Sequence, residues 1–325
     1  AGSVLESQTI TGSFKYGSLV ILGESLEETL YEPVDEEASS GHSLTTVQVE
    51  GGDEGDILKT DGKYLYYLQE KKGLSVAEAG PKPRVVTTLP PDEKMGDFTG
   101  MMLTGNRLVI IGRLAIARNL GEGRQTAAQT ATAFTLLDLS DPSRPEVVRR
   151  LLLPGDLMAS RLSGDNLVFA TQSSGPNALG YEDDALQGLP AYIDSALGDE
   201  DLRLLPPARC RLWTGGVDGR QTFVGLFDVT KEEPAAIQMF TGPIETMYLN
   251  GDVMVLSGGE SVGSSSRRDA MAPGEYTQPN TEKKSHSTWL FRFIQKEGDF
   301  HFSAMNSLPG QLLSRYSLDV FQGRL

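Results

Sequence analysis

Through most of the chain apolar and polar residues alternate with a period of two, in short runs broken by Gly, Asn and Asp. This is the pattern of half-buried strands rather than helices. One two-strand phrase returns: an apolar strand, a glycine turn, then x-Leu-apolar-apolar. It occurs as Ile57–Leu68, Met101–Gly112, Arg161–Thr171 and Met247–Ser257, and a shortened copy, Leu318–Leu325, carries Gly323. Thr60-Asp61-Gly62, Thr104-Gly105-Asn106, Ser163-Gly164-Asp165 and Asn250-Gly251-Asp252 supply the positive-φ residues that tight hairpins demand. A second phrase follows the first as Ala133–Arg150, Thr222–Met239 and, more loosely, Thr288–Met305. It is a strand closing on Asp138 or Asp228, a polar turn often containing proline, and a returning strand. Two hairpins per unit predict a four-stranded antiparallel sheet.

The turn glycines Gly62, Gly105, Gly164, Gly251 and Gly323 stand 43, 59, 87 and 72 residues apart. Three polar stretches, Arg113–Thr130, Gln172–Arg220 and Ser257–His286, each separate the two hairpins of one unit. Without them the spacings become 43, 41, 38 and 42, the ~40–45 residues of one β-propeller blade. The predicted fold is therefore all-β: a propeller of four-stranded antiparallel blades, four complete and a fifth begun, with the ring incomplete in this chain. A β-sandwich would share the alternation and the turns but leaves the period unexplained. An α/β fold lacks the amphipathic helical windows its crossovers require. Strand order from axis to rim should follow sequence order, with Ile57–Thr60, Met101–Thr104, Ala159–Leu162 and Thr246–Leu249 innermost.

The chain divides into an N-terminal segment with an acidic linker, residues 1–44, and the propeller, residues 45–325. Glu24–Glu37 carries seven carboxylates and predicts a linker or short helix without a buried face. Thr45–Glu50 (TTVQVE) has strand character but precedes the first inner strand. We expect it as the outermost strand of the closing blade, with Leu313–Leu325 forming inner strands of the unfinished fifth.

Composition narrows the function classes. Lys+Arg of 29 against Asp+Glu of 44 gives a net charge of −15, which repels nucleic-acid phosphates and anionic lipid. The longest apolar run, Leu108–Ala117, is broken by Arg113 and falls short of the ~20 residues of a membrane span. The single cysteine, Cys210, can form no internal disulfide and so leaves the redox compartment open. Arg209 and Arg211 flank it, but on a strand both would point away from the thiol, so Cys210 reads as inert.

Inner strands line the axis and their starts gather at one mouth. Those starts carry Asp56, Ser160, Arg161, Glu245 and Arg315, mixed charge suited to a polar ligand, or to pairing across blades. Asp53, Glu54 and Asp56, with Asp61, make an acidic cluster where the first inner strand begins, and its carboxylates could hold a hard cation such as Ca²⁺, although the spacing fits no calcium loop and Asp61-Gly62 is explained by its turn. No other cofactor is implied. His42, His286 and His301 are the only histidines, and no hydrolase motif accompanies them. Gln172–Arg220 mixes Glu182-Asp183-Asp184 and Asp199-Glu200-Asp201 with Leu186, Leu189, Tyr192 and Ile193, the composition of a short helix or a docking loop.

Thr45–Tyr67 (TTVQVEGGDEGDILKTDGKYLYY) closely resembles the opening of a family of prokaryotic secreted proteins with a C-terminal β-propeller domain distantly related to WD repeats. Leu137–Pro145 (LDLSDPSRP), Ala159–Leu167 (ASRLSGDNL) and Pro309–Gly323 (PGQLLSRYSLDVFQG) resemble its later blades. The resemblance implies export from the cytoplasm, although no leader opens this sequence, and further blades after the position of Leu325. It supplies no catalytic residue. The expected function is an extracytoplasmic binding module for a protein, peptide or glycan. The rival is a glycosidase-like hydrolase using carboxylates at the mouth, which would set two of them about 5–10 Å apart in an open pocket.

Overall fold

In the computed structural model the described residues are 12–14, 17–19, 52–53, 55–70, 72–118, 127–173, 189–198, 201–212, 220–262, 285–314 and 317–319. The chain forms two compact units, Ala1–Ser40 and Gly41–Leu325. Within the first, β1 (Gly12–Phe14) pairs antiparallel with β2 (Gly17–Leu19). The acidic stretch 24–37 and Thr45–Glu50 lie outside the described residues.

The second unit is built of four consecutive antiparallel sheets preceded by a two-residue strand, β3 (Gly52–Asp53). Blade one is β4 (Leu58–Thr60), β5 (Tyr64–Gln69), β6 (Gly73–Glu78) and β7 (Arg84–Leu89). Blade two is β8 (Asp97–Thr104), β9 (Arg107–Arg118), β10 (Ala127–Asp138) and β11 (Glu146–Pro154). Blade three starts with β12 (Asp156–Ser163) and β13 (Asn166–Ser173). An insertion holding β14 (Ala191–Asp194), β15 (Leu202–Leu204) and β16 (Cys210–Arg211) follows, and β17 (Gln221–Asp228) and β18 (Ala236–Thr241) complete it. Blade four is β19 (Thr246–Asn250), β20 (Val253–Val262), β21 (Ser285–Lys296) and β22 (Asp299–Pro309). Strands of each blade pair in sequence order, as predicted. First strands of successive blades stand side by side, β4 beside β8 and β12 beside β19, which gathers them around one axis. No strand pairing among the described residues closes the ring.

Blades pack face to face, and this explains the texture of the sequence. In β13, Leu167 and Phe169 join the core between blades two and three, while Val168 and Ala170 join that between three and four. With both faces covered, the strand reads as a continuous apolar run. Blade one shares a core with blade two through Tyr66, Leu68, Leu74 and Val76, and its alternate residues Leu65 and Tyr67 are only half-buried. Aromatic rings mark the interfaces. Phe134 meets Phe169 at 5.2 Å between ring centres, and Phe240 meets Phe291 at 4.6 Å, distances at which tilted rings attract.

A staple recurs at the handovers that follow blades two, three and four. The hydroxyls of Thr132, Thr222 and Thr288, each on a third strand, donate to the carbonyls of Gly155, Gly242 and Gly310 at 2.9, 2.8 and 2.8 Å. The amides of the same glycines donate to the carbonyls of Thr130, Arg220 and His286. Each of these three bends thus has its glycine amide and carbonyl satisfied. The opposite end has its own recurring device: the Asp138 and Asp228 carboxylates accept from the Ser140 and Thr230 amides.

Hydrogen bonds from the Ser140 hydroxyl and amide, joined by the Arg107 guanidinium, hold the Asp138 carboxyl down to about 2. The folded-state value therefore lies below the ~3.9 of an unfolded aspartate. The stabilisation is complete above that value and is lost as pH falls through about 2. Asp138→Asn should accordingly flatten the stability profile between about pH 4 and pH 2, measured by urea unfolding at each pH. A profile parallel to the unsubstituted protein would contradict this.

Four expectations are corrected. β12 is not innermost in its sheet, because β3 pairs on its axial side, Asp53 opposite Leu162 and Gly52 opposite Ser163. The stretches 113–130 and 257–286 are not wholly outside the sheets: β9 and β10 run on to Arg118 and back from Ala127, and β20 and β21 to Val262 and back from Ser285. Their polar residues pair as a two-stranded ribbon, which needs no apolar alternation. The described parts of the 172–220 insertion are mainly short strands and 3-10 turns rather than the short helix that its composition allowed. Lastly, Leu313, Ser314 and Ser317–Asp319 form no strand. Leu318 instead caps blade four, packed with Tyr248, Val255 and Leu290.

The insertion strands serve the blade edges. β14 extends blade two beyond β11, with β15 outside it, and β16 lies parallel beside β18 at the edge of blade three. Arg209 pairs with Asp299 on blade four, and Arg211 lies 5.0 Å over the Phe302 ring. One loop thereby fastens three blades and covers two exposed strand edges, which would otherwise invite wrong pairing.

Candidate functional site

The inner strands begin where the Gly-Asp pairs Gly96-Asp97 and Gly155-Asp156 and the related Gly242-Pro243 stand, each glycine nine residues before its turn glycine. At the joint of blades two and three this geometry leaves a pocket of about 250 Å³. Backbone of Gly55, Gly100 and Gly112 forms its floor, with Thr99, Thr132, Ser160 and Arg161 around it. The Arg113 Nε bonds the Asp156 Oδ1 across the mouth at 2.6 Å. That carboxylate also holds the Arg113 guanidinium above its ordinary value. Gly112 is required by proximity: a Cβ there would stand 1.7 Å from the Met95 carbonyl oxygen.

Of the residues singled out from sequence, Ser160 is buried and Arg161 lines this pocket, its Nη1 donating to the Ser160 carbonyl at 2.7 Å. Asp56 forms a backbone bridge with Met101, and its carboxylate is turned to the Ile57 amide at 2.7 Å. Glu245 stands apart from them, at a second pocket of about 460 Å³ on blade four, with Ser257, Gly258, Gly259, Thr288, Gln311 and Ser314. Arg315 and Glu54 lie outside the described residues, as does the side chain of Asp53. Among the described residues no three His, Cys, Asp or Glu stand close enough to share a metal; of the set Asp53, Glu54 and Asp56 expected for Ca²⁺, only the Asp56 side chain is described.

Sequence reading missed Arg113, Asp156, Thr99 and Thr132. The signal that would have found them is the Gly-Asp pair at constant distance from the turn, since a blade handover needs a bend there. Asp61 is confirmed as a turn residue. Partial burial opposes its charge, but the Tyr64 and Lys63 amides and the Tyr66 hydroxyl donate to it and hold its carboxyl below the usual range. Burial pushes the Cys210 thiol up. Its Sγ points to the Pro206 carbonyl at 3.6 Å, and both neighbouring arginines are engaged on blade four, so nothing favours the nucleophilic thiolate.

Four radially packed antiparallel sheets with a polar mouth define a β-propeller. The family described as "Beta propeller domain" matches residues 42–325, and the chain belongs to that family. No curated protein matches it. Among the described residues no helix is long and apolar enough to cross a membrane.

Proposed function

We propose that this propeller is a binding module that takes a protein, peptide or glycan at the mouth where its inner strands begin, and that it works outside the cytoplasm. The observation that carries this reading is the repeated joint itself. The handovers after blades two and four each leave a recess lined by glycine backbone, hydroxyls and charged side chains, the composition of a recognition surface. Asp156 at the first recess is committed to an ion pair with Arg113, which favours binding over glycoside chemistry. A net charge of −15 sets nucleic acid aside as the ligand. The extracytoplasmic setting and a kinship with WD repeats rest on the resemblance of Thr45–Tyr67 and the later blade phrases.

The test is an array of glycans and peptides probed with the labelled chain. Hits should weaken in Arg161→Ala, which alters the mouth, and persist in Arg84→Ala on the outer strand of blade one. A protein that captures nothing, or whose hits are lost only in the rim variant, would overturn the reading.

A further inference from the structure

The three joints are one site with three different side chains at its centre. Each staple threonine has a cross-strand partner on the second strand of its blade: Arg113 opposite Thr132, Gln172 opposite Thr222, and Gly259 opposite Thr288. At the first joint the Arg113 guanidinium fills the position and bonds Asp156 at 2.6 Å, the residue just after the handover glycine. At the second the residue after that glycine is Pro243, with no polar side chain. Here the Gln172 amide fills the position, donating to the Thr222 hydroxyl at 2.9 Å and the Gly242 carbonyl at 3.0 Å. At the third joint Gly259 brings no side chain, and the larger recess opens there.

That recess draws its carboxylate from a different position: the residue after Gly310 is Gln311, and Glu245 comes from the start of blade four, three residues after Gly242. A Cβ placed on Gly259 would have the two Glu245 oxygens at 3.4 and 3.7 Å, ordinary contact distances, and no backbone within reach. Glu245 is exposed, and no cation among the described residues pairs with it. The Ser257, Thr288 and Gln311 side chains complete the wall. The Thr288 hydroxyl is committed to Gly310, and the Gln311 Nε2 stands 3.0 Å from the His286 Nδ1.

We infer that the joint after blade four receives a basic side chain, arginine or lysine, from a partner protein or peptide, which enters the space that Gly259 leaves open and pairs there with Glu245, as Arg113 at the matching strand position of blade two pairs with Asp156. This rests on the reading of the propeller as a binding module and names one subsite of it. Charge favours the match, since a partner presenting a cation approaches a chain of net charge −15 with long-range attraction.

The experiment is an amide-resolved NMR titration of the full chain with the capped tripeptides Ac-Gly-Arg-Gly-NH₂ and Ac-Gly-Lys-Gly-NH₂, with the Gln and Glu versions as controls. Saturable shifts at Gly258, Gly259 and Thr288 are expected with the basic peptides alone. Glu245→Gln should weaken them by roughly tenfold or more, the scale of one charge-assisted hydrogen bond. Gly259→Gln, which refills the position as Gln172 does, should abolish them while leaving thermal stability in place. Absence of these shifts, equal binding by the neutral peptide, or indifference to Glu245→Gln would overturn the inference. A productive array with a silent titration removes this subsite and leaves the binding module; if both are silent, both readings fall.

Discussion

Asp194→Ala should lower the unfolding free energy by about 3–5 kcal/mol, the cost of removing one partner from a buried ion pair. Asp194 is fully buried and Arg149 nearly so. Its carboxylate takes the Arg149 Nε at 3.0 Å and Nη2 at 2.6 Å, together with the Ala235 and Ala196 amides. Arg149 also donates to the Glu233 carbonyl and lies 4.2 Å over the Phe227 ring. Truncation would leave a guanidinium buried among strands of two blades without its counter-charge. The double variant Arg149→Met/Asp194→Leu should recover much of the loss, because it removes both charges and keeps the volume. Urea unfolding of the three proteins checks this. A loss under about 1 kcal/mol in Asp194→Ala, the value of an exposed pair, would mean that the insertion does not fasten blade two.

The second large effect is expected at Gly155→Ala. Gly155 holds φ at +87°, and an added Cβ would stand 2.2 Å from both the carbonyl carbon and oxygen of Gln172. The left-handed conformation costs a residue with a Cβ about 1–2 kcal/mol, and the clash with backbone adds overpacking of about 1–3 kcal/mol. A loss of roughly 3 kcal/mol should follow. Gly164→Ala is the control: φ is +58° but nothing lies within 4 Å of the new Cβ, so only the conformational part should appear. Equal losses at the two positions in denaturant unfolding would show that the handover bend is looser than its geometry implies.

What could be read from sequence follows from the range over which each feature is determined. The turn glycines Gly62, Gly105, Gly164 and Gly251 all take positive φ because a tight hairpin is a local object, and their spacing carried the fold. Strand limits were less legible. Asp97–Thr99 and Asp156–Met158 have no alternating apolar signal, yet they extend β8 and β12 because they pair with neighbours already in place. The insertion strands were invisible for a stronger reason. β14, β15 and β16 are two to four residues long, and they exist because β11 and β18 offer open edges. The site divides in the same way. Ser160, Arg161 and Glu245 were found from their place at the start of inner strands. Arg113 and Thr132 come from second and third strands and reach the mouth only when the blades are packed.

The claim beneath all of this is that consecutive four-stranded sheets stand face to face around one axis. Inter-ring proton contacts in a phenylalanine-labelled sample test it most directly. The account predicts cross-peaks between Phe134 and Phe169, 5.2 Å apart across blades two and three, and between Phe240 and Phe291, 4.6 Å apart across blades three and four. Well-resolved hairpin contacts within each sheet, with neither inter-blade pair present, would contradict it.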